Sequence, residues 1–233
     1  MDLHRRRTVT ALALIAVGLV RPAGAQTAPT SAEIERYTGL HAAAQAGDSV
    51  RIRTLAAADR RGLEARDGHG RTPLHVATFA ARGNAVRALI EAGADTDALE
   101  ADRYDAVTIA AVADDETTLA LLLRLGAKAT LTTSRWQGTA LIAAAHLGHD
   151  GVVRRLIAAG APLDHVNTLH WTALIEAIVL GDGGPRHQAC VRALLDAKAD
   201  HRLTDREGRT PLQLARERRY REIVSMLEAA GAR

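Results

Sequence analysis

Side chains able to bind a metal, move a proton or attack a substrate are unevenly spread along this chain. Of its 10 His and 2 Trp, five histidines (His146, His149, His165, His170, His187) and both tryptophans (Trp136, Trp171) fall within residues 136–187. His146 and His149 are three apart, a spacing that can put two ligands on one helical face. Glu176 and Asp182 follow as an acid and a base of the kind used in glycoside hydrolysis, but that chemistry needs two carboxylates facing each other across a cleft. The Gly-rich stretch Leu180-Gly181-Asp182-Gly183-Gly184-Pro185-Arg186-His187 offers backbone donors of the sort that approach phosphates. It lacks the Lys-Ser/Thr of a P-loop and follows a helical pattern, not a strand. Cys190 is the one cysteine; it cannot form an intrachain disulfide and reads as a small buried helix residue. No G-x-S-x-G, H-E-x-x-H or reactive Cys–His signature occurs. The sequence therefore assigns no catalytic residue, no cofactor site and no metal site. What remains is tryptophan in a chain that is only 3% aromatic, and an exposed Trp is a common anchor in protein interfaces.

The elements that must carry these residues repeat. Thr38-Gly39-Leu40-His41-Ala42-Ala43 is followed by Thr72-Pro73-Leu74-His75-Val76-Ala77, and weaker copies begin at Asp105, Thr139, Thr172 and Thr210. The third residues are Leu40, Leu74, Val107, Leu141, Leu174 and Leu212, spaced 34, 33, 34, 33 and 38. A second landmark (Leu55, Leu89, Leu122, Leu156, Leu194, Leu227) follows at an offset of 15 in every unit but the fifth, where it is 20. The physics is local. Thr before an apolar helical pattern caps a free N–H, Pro suits the first turn, and Gly93, Gly126, Gly160 and Gly231 suit left-handed helix ends. A unit this small cannot bury its own apolar face, whereas stacked units can.

A period near 33 that opens on T-P-L-H-x-A resembles the ankyrin-repeat family, and the resemblance covers residues 32–233. It implies an all-α solenoid of six helix–turn–helix repeats with short β-hairpin fingers. The repeats run at about 38–71, 72–104, 105–138, 139–171, 172–209 and 210–233, after a cap or linker at 26–37. It also implies that His41 and His75 hydrogen-bond between repeats, and that His149 stands in the Gly-His that opens a second helix. Residues 164–176 with the following Gly-rich loop are similar to a segment of exported bacterial ankyrin proteins, a likeness of sequence that brings no biochemical role. Repeat three departs most from the pattern, with Arg103 where a turn Gly is usual and Asp105-Ala106-Val107-Thr108 in place of T-P-L-H. Repeat five carries the five-residue insertion. Asp67-Gly68-His69-Gly70 and Asp205-Arg206-Glu207-Gly208 read as hairpin turns.

The N-terminus reads as an address. Basic residues 1–7, the apolar run 8–20 and Ala23-Gly24-Ala25 form the three regions of a signal peptide, with cleavage expected before Gln26. The apolar run is too short to span a bilayer, which needs about 20 residues. Residues 1–25 hold four of the 30 Lys+Arg and one of the 27 Asp+Glu, so 26 of each remain. A neutral mature chain disfavours nucleic acid, which needs a concentrated basic face.

The expectation is a monomeric, non-catalytic protein-binding module of the bacterial periplasm, without cofactor or stable membrane insertion. A folded periplasmic partner lies on the concave surface, with Trp136, His165, Trp171, Glu176, Asp182, Arg186 and His187 as the contact patch. The partner is assisted, protected or inhibited. The competing expectation is a small-ligand receptor or hydrolytic enzyme that uses the repeat-five loop and the neighbouring His and Glu residues.

Overall fold

The protein, seen here in a computed structural model, is described over residues 27–233; the expected signal segment lies outside the described residues. A short helix α1 (Ser31–Arg36) precedes six helix pairs. These are α2 (Gly39–Ala46) with α3 (Ser49–Ala58), α4 (Pro73–Phe79) with α5 (Gly83–Glu91), and α6 (Ala106–Val112) with α7 (Glu116–Arg124). Then come α8 (Ala140–Leu147) with α9 (Asp150–Ala158), α10 (Ala173–Val179) with α11 (Pro185–Asp196), and α12 (Pro211–Glu217) with α13 (Arg221–Ala229). First helices stack on first helices and second on second, each against the next repeat. One continuous apolar cluster results, running from Leu40 to Leu227. No helix among the described residues is long and apolar enough to cross a membrane.

The repeated residues build this directly. Thr72, Thr139, Thr172 and Thr210 each accept, through the side chain, the backbone N–H three residues on. Asp105 does the same for α6, bonding the Thr108 N–H at 2.8 Å, so the departure in repeat three keeps the cap. Each such cap is worth about 1 kcal/mol. Thr38 alone of this series makes no side-chain cap bond. The landmark leucines are buried except Leu55, which is half-exposed while Ile52 fills the core one turn earlier. The first and outermost second helix has turned by that much. Cys190 is fully buried, and burial pushes its thiol up to about 12. His41 bonds the Arg71 carbonyl at 2.9 Å and His75 the Ala98 carbonyl at 3.0 Å, stitching repeats together.

The loops between pairs form fingers, numbered here by the repeat they introduce: two (67–71), three (100–104), four (134–138), five (167–171) and six (205–209). One is flanked by a true ladder among the described residues, β1 (Thr132–Thr133) paired antiparallel with β2 (Gly138–Thr139). Fingers two, three, five and six are tight turns closed by a bond from the first residue's N–H to the fifth residue's carbonyl. All five share one rule. The first side chain (Asp67, Glu100, Ser134, Asn167, Asp205) accepts the N–H groups of the third and fifth residues. The fourth residue has positive φ: Gly70, Arg103, Gln137, His170 and Gly208.

Candidate functional site

Fingers three, four and five enclose a recess of about 40 Å³ on the side of the first helices, more than the ~10–15 Å³ that one water requires. Its lining includes Tyr104, Thr108, Thr133, Trp136, Asn167 and Glu176. Thr108 Oγ1 and Thr133 Oγ1 lie 3.1 Å apart and are buried. Burial raises the Tyr104 hydroxyl's pKa, and the charges of Asp102, Glu100 and, further off, Glu176 act the same way. Trp136 stands at the tip of finger four, 52% exposed. Its carbonyl accepts both the N–H (2.9 Å) and the hydroxyl (3.0 Å) of Thr168 on finger five. His165 reaches the Gln137 carbonyl at 2.6 Å. Finger four is thus tied by two bonds to finger five and by one to His165 just before it, and the exposed indole sits on a fixed support. Val166, next to His165 in the chain, is 42% exposed.

Glu176 is the chemically pointed member. It comes from the first half of α10, and Thr172 caps that helix. Its residue is only 5% exposed. Oε1 accepts from Asn167 Nδ2 at 2.7 Å, and Oε2 lies 3.4 Å from Nδ1 of His146 on the neighbouring first helix. That Nδ1 is buried and makes no hydrogen bond among the described residues. His149 turns elsewhere, to the Ala111 carbonyl at 2.9 Å, so the two histidines three apart do not converge. No group of three or more His, Cys, Asp or Glu side chains suited to a metal ion occurs among the described residues.

The seven residues expected to form one patch separate into two groups. Trp136, His165, Trp171 and Glu176 gather at the finger end of α10. Asp182, Arg186 and His187 lie at its other end, seven helical residues or roughly 10 Å away. Trp171 is half-buried and packs on the core, so it supports finger five more than it presents a surface. Arg186, expected to reach a partner carboxylate, instead bonds Asp114 at 2.7 Å and approaches Asp150 at 3.6 Å. His187 spends one nitrogen on Asp182 (2.8 Å) and the other on the His146 carbonyl (2.9 Å).

The insertion itself is less of a loop than its glycines suggest. Pro185 sits in the first turn of α11 and preorganises it, so the helix opens there and Arg186 and His187 are helical. A Cβ on Gly183 would fall 2.4 Å from Tyr220 Cδ1, and the Tyr220 hydroxyl donates to the Gly181 carbonyl at 2.8 Å. Glycine is needed there for close packing on repeat six, and the segment straps repeats three to six together. The sequence reading missed Tyr104, Ser134 and Asn167 as members of the finger site. The signal was present, because each follows the finger-two pattern at an offset of 33, 67 or 100 from Tyr104's, Ser134's or Asn167's counterpart.

A family description of ankyrin repeats in three copies matches residues 10–100 and 107–205. The ankyrin repeat protein YahD of Escherichia coli (strain K12) is 38% identical over 192 residues, 82% of this chain and 94% of that protein. A crystal structure of an ankyrin repeat domain from Acinetobacter baumannii AYE shares 44% identity at a TM-score of 0.77, covering 83% of this chain and 98% of that one. The ankyrin repeat protein EF0377 is similar at 29% identity and a TM-score of 0.73, covering 82% and 98%.

Proposed function

The chain belongs to the ankyrin-repeat family, whose repeats are protein–protein interaction modules, and we propose that it is a non-catalytic grip for a folded protein of the bacterial periplasm. The partner lies across the concave face made by the fingers and first helices. Trp136 and Val166 supply its apolar anchors, and His165 and Glu176 border them. The observation that carries this reading is the exposed Trp136 on a finger locked to its neighbour. A rigid aromatic anchor loses little entropy when it is buried by a partner. The repeat-five side chains on which the competing reading depends are already engaged: both His187 nitrogens and the Arg186 guanidinium bind groups of this chain. Export rests on the N-terminal pattern alone.

The test is capture from periplasmic extract by the mature chain, compared with a Trp136→Ala/Val166→Ser variant. Both sites are exposed, so unfolding should change by less than about 0.5 kcal/mol per site. The native chain should enrich one protein at least tenfold over the variant. Equal capture by both, or turnover of a small molecule that disappears in His187→Ala, would sink the reading.

A further inference from the structure

Glu176 is a carboxylate with little of its acceptor capacity used. An ionised carboxylate offers about four acceptor sites, and a buried charge is expensive unless it is paired and hydrogen-bonded. Here, at 5% exposure, it receives among the described residues one hydrogen bond, from Asn167, and has the His146 Nδ1 3.4 Å from its second oxygen. It lines a recess together with Trp136, Tyr104, Thr108 and Thr133. The Asn167 contact is built into the fold, since the Asn167 oxygen holds finger five closed and only its amide nitrogen is left to hold the carboxylate. A buried carboxylate, two aromatic rings and hydroxyls lining one recess form a receptor for a compact cation.

We infer that this recess takes the ammonium head of a lysine side chain from the partner, so that Trp136 and Tyr104 flank its methylene stem and Glu176 meets its charge. The inference rests on the protein-binding reading above and supplies the chemistry of the residue recognised. A cation over an aromatic face gains further attraction, and the stem of a lysine can bury while its head is paired. The recess is small, about 40 Å³, which favours a compact ammonium over the planar fork of a guanidinium. Arg135, exposed on finger four, is paired with Asp102 at 2.7 Å, so its charge is already engaged.

The probe is Nα-acetyl-lysine methylamide, titrated to 50 mM into the ¹⁵N-labelled mature chain while the Trp136 indole Nε1–H is followed by NMR. The signal should move saturably with the lysine compound and stay fixed with its uncharged norleucine counterpart. Glu176→Gln, which keeps the Asn167 contact, should weaken binding about tenfold, the loss of one charge-assisted bond. If that variant loses its amide dispersion, Trp136→Ala, at an exposed site, replaces it with calorimetry as the readout, and binding should fall at least severalfold. No saturable response, an equal response to norleucine, or tighter binding of the arginine analogue would overturn the inference while leaving protein capture untouched. Lysine binding without any captured protein would instead sink the grip and keep the recess.

Discussion

The fingers at the two ends of the stack and those in its middle obey one backbone rule and use it differently. In fingers two and six the fifth residue is arginine, and it turns back on the first residue's aspartate: Arg71 on Asp67 at 2.7 Å, Arg209 on Asp205 at 2.8 Å. The fourth residue is glycine in both. In fingers three, four and five the fifth residue is Tyr104, Gly138 or Trp171, and the fourth is Arg103, Gln137 or His170, held at φ of 67°, 54° and 62°. The end fingers close on themselves. In finger five the spare side-chain nitrogen of Asn167 turns to Glu176, and fingers three, four and five border the recess. Non-glycine residues in the left-handed region are strained by about 1 kcal/mol or more, and such strain tends to collect where function needs a fixed, unusual shape. The ends of the solenoid are thus arranged to hold, and under the proposed function the middle is arranged to receive.

The largest break in that comparison is Arg71→Ala. The Arg71 side chain is fully buried and joins three segments: Asp67 in finger two, Glu33 on α1 at 2.6 Å and the Thr27 carbonyl at 2.7 Å. Its loss leaves two carboxylates without their shared cation and should cost about 3 kcal/mol, read as a shift in the urea midpoint with the m-value watched for loss of the N-terminal cap. Arg209→Ala removes a half-exposed side chain whose buried partner Asp205 keeps the backbone N–H groups of Glu207 and Arg209, and it should cost less, about 1–2 kcal/mol. Equal losses at the two sites would show that burial of the clamp is not what matters.

Acid should separate the same regions by sign. Hydrogen bonds from the Thr30 backbone and hydroxyl, with the charge of Arg71, hold Glu33 at about 2 against its usual 4.5. Burial works against ionised Asp67, but bonds from Tyr37, Arg71 and His69 outweigh it and hold that carboxyl at about 2 against 3.8. Burial also lowers His75 from 6.5 to about 4. In all three the unfolded chain takes up its proton first, so the N-terminal region loses stability as pH falls from about 6.5 to about 2. Asp105, in the middle, is pushed up by burial to about 6 from 3.8. There the folded state takes the proton first, and the contribution grows as pH falls from about 6 to about 3.8. Hydrogen exchange, corrected for intrinsic rate, should show α4 losing protection between about pH 6 and 4, and α1 between about pH 4.5 and 2, relative to α6. Uniform change along the chain would refute the contrast.

The stack was legible in sequence because each unit states its own cap, landmark and turn within some 33 residues. Repeat three remained readable despite its departures, since Asp105 caps as a threonine does. The patch was less legible. Trp136 and Glu176 stood out by type, but whether an indole lies on a tip or a core wall depends on the finger's fifth position, which can be seen only once Asp67, Ser134 and Asn167 are recognised as equivalent. The inserted glycines misled for a different reason. Their requirement comes from Tyr220, 37 residues beyond Gly183, and no local pattern reveals a side chain that arrives from the next repeat.

Effects smaller than the loss of Arg71 come from exchanging the fourth residues between the two kinds of finger. Gly70→Ala puts a Cβ at φ 70°, 3.2 Å from the backbone nitrogen of Ala101, where the main chain can give little; a loss of about 1–2 kcal/mol follows. His170→Gly is the reverse. The ring is exposed and makes no hydrogen bond among the described residues, and φ is 62°, so relieving the strain should stabilise. Glycine's greater freedom in the unfolded chain offsets part of that gain, leaving a net stabilisation of about 0.5 kcal/mol by thermal unfolding. The same freedom loosens finger five in the native state, and with it the Asn167 hold on Glu176. A protein that melts slightly higher but captures its partner less well would show that the middle fingers keep their strained residues for rigidity and not for fold. If His170→Gly melts lower, the ring supports the finger in some way of its own, and the division between holding ends and a receiving middle loses its backbone argument.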